Sequence, residues 1–140
     1  MAFKQVNIFP IDQQPRNAVG VAYPFAHTGV SGSVPFKLNY TTADQIRSNL
    51  FVYFSTDKGE RYLNPDYGSS FKEFVFEQVN SNTYSNIEKM VRDDLALYFP
   101  QVDLKELEVS GNPEEQEISV AMTYTIFNNE EDTVEINLSA

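Results

Sequence analysis

The period of the hydrophobic pattern changes once along this chain, at Pro100. Before it, apolar side chains recur at helical spacing: Ile46, Leu50, then Tyr53 or Phe54, and later Ile87, Met90, Val91, Leu95 and Tyr98. After it they recur at every second residue: Leu107 and Val109, then Ile118, Val120, Met122, Tyr124 and Ile126, then Val134, Ile136 and Leu138. The first spacing fits a helix buried along one face, the second a strand with one face buried. Helices first and strands last predict an α+β domain, with N-terminal helices packed on a small C-terminal antiparallel sheet.

Local signals place the boundaries. Thr42 and Gln45 form a capping-box pair that opens the first helix, which should end before Asp57-Lys58-Gly59, where Gly59 can turn left-handed. Glu60–Gly68 reads as a loop held by Pro65 and Gly68. Ser70 with Glu73 predicts a second capping box, on a short helix through Phe74 and Phe76. Asn82 or Thr83 should cap the third helix, Glu88 and Arg92 pair on its outer face, and Pro100 stops it. Gly111-Asn112-Pro113-Glu114 is a turn, and residues 128–132 make a polar connection before the last strand.

Residues 1–40 differ from the rest. Pro10, Pro15, Pro24 and Pro35, with Gly20, Gly29 and Gly32, leave no room for a long helix. Yet Phe3, Ile8, Phe9, Val21, Tyr23, Phe25 and Phe36 are too many large apolar residues for a disordered tail. The expected organisation is an extended arm over residues 1–40, lying on the domain or on a neighbour, and an α+β domain over residues 41–140.

Charge narrows the partners. Residues 1–56 carry four basic and two acidic side chains, net +2, whereas residues 57–140 carry six and eighteen, net −12. The acidic part should repel phosphates and anionic lipid, so neither nucleic acid nor membrane is an expected partner. No apolar run approaches the ~20 residues that cross a bilayer, and no signal-peptide pattern opens the chain. With no cysteine and a single histidine, His27, neither a disulfide framework nor a zinc site is expected, and no cofactor is implied.

Enzymatic chemistry finds little support. His27 has no marked nucleophile or orienting acid. A glycosidase needs two carboxyls flanking one sugar bond, one of them with a raised pKa. The candidates Glu60, Asp66 and Glu77 stand beside Lys58 and Arg61, cations that favour the ionised form and suit a structural ion-pair cluster. Gly59 and Gly68 read as backbone requirements.

The ordered run Lys58-Gly59-Glu60-Arg61, Asn64-Pro65-Asp66-Tyr67-Gly68 and Phe76-Glu77 resembles the wedge-subunit family of contractile, T4-like phage baseplates. Members of that family were historically labelled tail lysozymes, and the type VI secretion baseplate has a related subunit. The resemblance spans roughly residues 18–138 and includes Gly20-Val21-Ala22-Tyr23-Pro24-Phe25 and Gln45–Leu50. It implies a structural protein of the virion tail, assembled in the host cytoplasm. The implied partners are other wedge subunits and the tail sheath protein, with tail tube or hub proteins as further neighbours.

It also implies two sites. Where the family closes its third helix with Glu-Pro-Arg, this chain reads Phe99-Pro100-Gln101, a corner expected to dock on the wedge core through an otherwise exposed Phe99. The strand region of Ile118, Val120, Val134, Ile136 and Leu138 is expected to pair with a sheath strand and so initiate the sheath. The alternative is a small glycan-cleaving, lysozyme-like enzyme.

Overall fold

The change of period at Pro100 is realised as three helices followed by a three-stranded sheet. The computed structural model describes residues 17–25, 36–76, 81–112, 117–126 and 131–139. Their elements are β1 (Gly20–Val21), β2 (Leu38–Asn39), α1 (Thr42–Phe54), α2 (Phe71–Val75), α3 (Ser81–Tyr98), β3 (Val102–Asn112), β4 (Glu117–Ile126) and β5 (Glu131–Ser139). The chain divides into two units, Met1–Val52 and Tyr53–Ala140. Among the described residues no helix is long and apolar enough to cross a membrane.

In the first unit, β1 pairs antiparallel with β2, Gly20 opposite Asn39 and Val21 opposite Leu38. Helix α1 is capped one residue earlier than the sequence suggested. The Thr41 hydroxyl accepts the Asp44 N–H at 3.2 Å and donates to the Asp44 carboxylate at 2.8 Å. Asp44 therefore stands where Gln45 was expected, three residues after the cap, as a carboxylate beside the positive helix start that accepts from the Thr41 hydroxyl. Gln45 is engaged elsewhere: its carbonyl accepts from the buried Asn39 side chain at 3.0 Å and its amide donates to Asn49 at 2.8 Å. Asn39 Nδ2 also reaches Ser48 Oγ at 3.0 Å, and that oxygen accepts the Tyr23 N–H at 3.2 Å. One buried asparagine thus joins β2 to α1, and Ser48 extends the network to the segment after β1.

The second unit holds the larger core. Ile87, Val91 and Leu95 are buried along one face of α3, while Met90 and Tyr98 are half-buried. Thr83, expected as a cap, lies inside the helix and is buried, because α3 already begins at Ser81. Ser70 stands at the N-cap of α2 without a side-chain capping bond.

Sheet order is β3-β4-β5, antiparallel throughout. In β4, Ile118, Val120, Met122, Tyr124 and Ile126 all face the core, as do Val134 and Ile136 of β5. Strand β3 carries a bulge at Lys105, between the pairs Leu104–Tyr124 and Glu106–Thr123. The extra residue changes the parity of the strand, so that Leu107 and Val109 share a face with Val102 and Leu104. Strand β5 begins at Glu131, inside the expected polar connection, and Asp132 accepts a hydrogen bond from the Tyr124 hydroxyl at 3.1 Å.

Candidate functional site

The residues that carry the family resemblance build a closed loop between α1 and α2. A parallel bridge joins Asp57 to Ser69 at its base. The Lys58 N–H donates to the Ser69 carbonyl at 3.2 Å, and the Ser69 N–H to the Thr56 carbonyl at 2.9 Å. Higher up, the Gly59 N–H donates to the Pro65 carbonyl at 2.8 Å. Both glycines have positive φ, +89° at Gly59 and +121° at Gly68. At Gly68 a Cβ would also come within 2.5 Å of the Thr56 carbonyl oxygen, so neither conformation nor space admits a side chain. Gly59 serves the loop rather than a helix cap, since α1 has already ended at Phe54.

Side chains lock this backbone, with partners that differ from those expected. The buried Ser69 hydroxyl donates to the Phe54 carbonyl at 3.0 Å. The ion pair at the base is Lys72 with Asp57, at 2.8 Å, and Asp57 holds the Lys72 ammonium above its ordinary pKa through that hydrogen bond and its charge. The Glu60 carboxylate accepts the Asp57 N–H at 3.0 Å. The Arg61 guanidinium lies 3.7 Å from the centroid of the Tyr67 ring instead of pairing with Glu60 or Asp66. A planar, weakly hydrated guanidinium stacks favourably on an aromatic face, and an exposed pair with a carboxylate contributes little. Tyr67 in turn packs edge-on against the fully buried Tyr53 at 5.0 Å, and the Tyr98 hydroxyl donates to the Asp66 carbonyl at 3.2 Å. Phe76 is 66% exposed; Glu77 and His27 lie outside the described residues.

Beneath the loop sits a polar pair with no sequence signal beyond its place in the helical pattern. Asp94 falls on the core face of α3, and its Oδ2 is buried without a hydrogen-bond partner. The Tyr53 hydroxyl is likewise buried and unpartnered. Burial pushes the Asp94 carboxyl up, and the Lys58 charge partly opposes that rise. The Tyr53 hydroxyl is also pushed up, by burial first and by Asp94 second.

The corner after α3 differs from expectation in one residue. Phe99 is 7% exposed, and its ring packs edge-on against Tyr53 at 5.5 Å. It belongs to the core, because its N–H still bonds to the Leu95 carbonyl at 2.9 Å and so keeps the residue on the inner face of the helix. Pro100 is exposed and Gln101 half-buried. The exposed apolar side chain of this end is Leu97, 71% exposed, two residues beyond Leu95 and off the core face.

The strand residues divide as well. Ile118 and Val120 lie on the central strand, hydrogen-bonded to β3 on one side and β5 on the other, so they have no free edge to offer a partner strand. That is a correction to the expected pairing set. Val134 and Ile136 lie on β5, an edge of the sheet among the described residues, with side chains turned into the core; Leu138 stands opposite Ile118 in register.

Sequence comparison decides the family. The pattern of the baseplate wedge protein gp25 family matches residues 41–131, from just before α1 into β5. The chain belongs to that family. Over 93 residues it is 23% identical to the baseplate wedge protein gp25 of Enterobacteria phage T4, covering 66% of this chain and 70% of that one. The fold is similar to a chain of the anti-feeding prophage baseplate, with a TM-score of 0.63 and 22% identity over 77% of this chain and 84% of the other. It is also similar to a Geobacter sulfurreducens protein that carries the name tail lysozyme, with a TM-score of 0.62 and 22% identity over 71% and 91% of the two chains. The gp25 family match spans the closed loop, the Leu97–Gln101 corner and β4, and ends where β5 begins.

Proposed function

We propose that this gp25-family chain is a structural subunit of a contractile-tail baseplate wedge, that it docks on the wedge core, and that it initiates the sheath by strand pairing. The observation that carries the reading is β5: among the described residues it is an edge strand, with Val134 and Ile136 turned into its own core, leaving the main chain as the means of recruiting a partner. Glu131 and Glu135 line the exposed side of that strand and discourage pairing between identical copies, while a less acidic strand from the sheath protein is tolerated. Docking on the wedge core uses Leu97, Pro100 and Gln101, the accessible residues of the corner. The described part of the expected arm, residues 17–25 and 36–40, lies on this chain's own α1 through Asn39 and Ser48.

Lytic activity is absent in this reading. Among the described residues the carboxyl with a raised pKa is Asp94, a buried residue whose Oδ2 is closed off from solvent. Of the loop carboxylates, Asp57 is paired with the Lys72 ammonium and Glu60 accepts the Asp57 N–H. A peptidoglycan-release assay tests this directly. Hydrolysis above a buffer control that disappears in Glu60→Gln or Glu77→Gln would restore the enzymatic reading.

The strand pairing is tested by cross-linking, which the absence of native cysteine makes clean. Glu135→Cys and Asn137→Cys, both on the exposed side of β5, should form disulfides with cysteines placed along the edge strand of the first sheath ring. Paired strands hold Cα atoms within the ~4.4–6.8 Å that a disulfide needs. Fully sheathed tails in which neither position cross-links would overturn the pairing.

A further inference from the structure

The closed loop carries two features that its structural role does not explain. Tyr62 is 95% exposed and Leu63 is 93% exposed, side by side at its tip. The loop beneath them is closed by a bridge at its base, two glycines in conformations other residues avoid, Arg61 stacked on Tyr67, and Tyr67 packed edge-on against Tyr53. A loop tip needs no large apolar side chains in order to turn, and polar residues would be better solvated there. Large apolar groups held out on a pre-organised element have the character of interface anchors, because little ordering entropy remains to be lost when they bind.

The chemistry around the tip selects the kind of partner. Residues 62–65 read Tyr-Leu-Asn-Pro and carry no charge. The two charged side chains before them are engaged within the loop, Glu60 with the Asp57 N–H and Arg61 with Tyr67. An uncharged apolar tip fits a concave apolar pocket. Anionic lipid does not suit it, since residues 57–140 have a net charge of −12. A second copy of a chain with net charge −10 is disfavoured for the same reason.

We propose that Tyr62 and Leu63 are the anchor by which this loop docks into an apolar pocket of another protein subunit of the baseplate. The proposal rests on the baseplate reading above. The test is competitive incorporation. Wild-type chain and the Tyr62→Ala/Leu63→Ala variant, distinguishable by mass, are co-expressed during tail assembly, and their ratio in purified tails is measured. The variant should be depleted about 30-fold or more, the affinity lost when a hot-spot side chain is truncated. Lys89→Ala, exposed on α3, should incorporate normally. The isolated double variant should melt as the wild type does, since both side chains are outside the core.

Photo-cross-linking from p-benzoylphenylalanine at position 62 in assembled tails should mark one site on one other subunit. Equal incorporation of the double variant, or diffuse cross-linking, overturns the anchor while leaving the baseplate reading intact. Absence of the wild-type chain from purified tails overturns both. Tyr62-dependent binding to phosphatidylcholine vesicles, or Tyr62-dependent dimerisation in sedimentation, assigns the tip to a different partner and also overturns the proposal.

Discussion

Helix α1 passes from one mode of stabilisation to another along its length. Near its start, in the first unit, the organising group is Asn39, whose amide bonds to Gln45 and Ser48. At its end, in the second unit, Tyr53 is surrounded by the rings of Phe54, Tyr67, Tyr98 and Phe99, with centroids 5.0–5.5 Å away. The aromatic cluster gains from buried area, tolerates some rearrangement, and loses most when a ring is removed. The amide network gains little net energy per bond, yet each bond specifies one arrangement, and an orphaned partner is costly. The first unit therefore adds a buried polar network to its own apolar contacts, Tyr23 against Phe51 at 5.2 Å and buried Ile46 and Leu50, whereas the second centres on the rings around Tyr53.

The comparison can be broken most sharply at Phe99. Truncation to alanine should cost about 3–5 kcal/mol in urea denaturation, and Phe99→Asp should leave the isolated chain unfolded. A folded Phe99→Asp chain would return this residue to the surface. Leu95→Ala, on the same face of α3, should cost about 2–5 kcal/mol. In the first unit, Asn39→Ala should cost about 1–3 kcal/mol, the penalty for leaving buried partners unsatisfied. Its signature should be loss of amide protection in residues 19–23; a uniform loss across the chain would mean that Asn39 supports both units alike.

Asp94→Asn should produce a smaller change, and one that depends on pH. The folded-state pKa of Asp94 lies above its ordinary value of 3.8, so the folded chain holds the proton more tightly than the unfolded one. The stability contributed by neutral Asp94 is complete below the ordinary value and is lost as pH rises through the raised one. The asparagine variant lacks that loss, so its stability relative to wild type should climb as pH is raised above about 4. A difference that does not vary with pH would mean that the carboxyl titrates normally. Smallest of all, Glu88→Ala removes an exposed pair with Arg92, 2.9 Å long, and should cost only about 0.2–0.5 kcal/mol.

Much of the site is legible in the string of residues. The glycines of the loop, the stop at Pro100 and the alternation in β4 and β5 are signals that each act within a few residues. Even the bulge at Lys105 has a trace, because Val102, Leu104, Leu107 and Val109 keep one face only if a residue is skipped between them. The partners inside the loop are not legible in this way. Lys72 is fifteen positions from Asp57, and nothing near either residue marks the pair. The Arg61 and Tyr67 contact is masked by carboxylates nearer in sequence, which are the commoner partners of a cation. Asn39 and Ser48 give no sign of burial, since a polar residue on a short strand or a helix reads as solvated unless its hydrogen-bond partners are known.

By itself the sequence determined the order of elements, the α+β class and membership of a baseplate wedge family. Period, capping and turn chemistry are local, and a family pattern is a property of the string. Only the tertiary structure decided that Phe99 turns inward, that β4 lies between β3 and β5, that Asp94 is buried, and that Tyr62 and Leu63 stand in solvent. Each of those depends on which distant surfaces meet. A side chain is buried or exposed according to what the rest of the chain brings against it, and that is settled by packing across the whole domain.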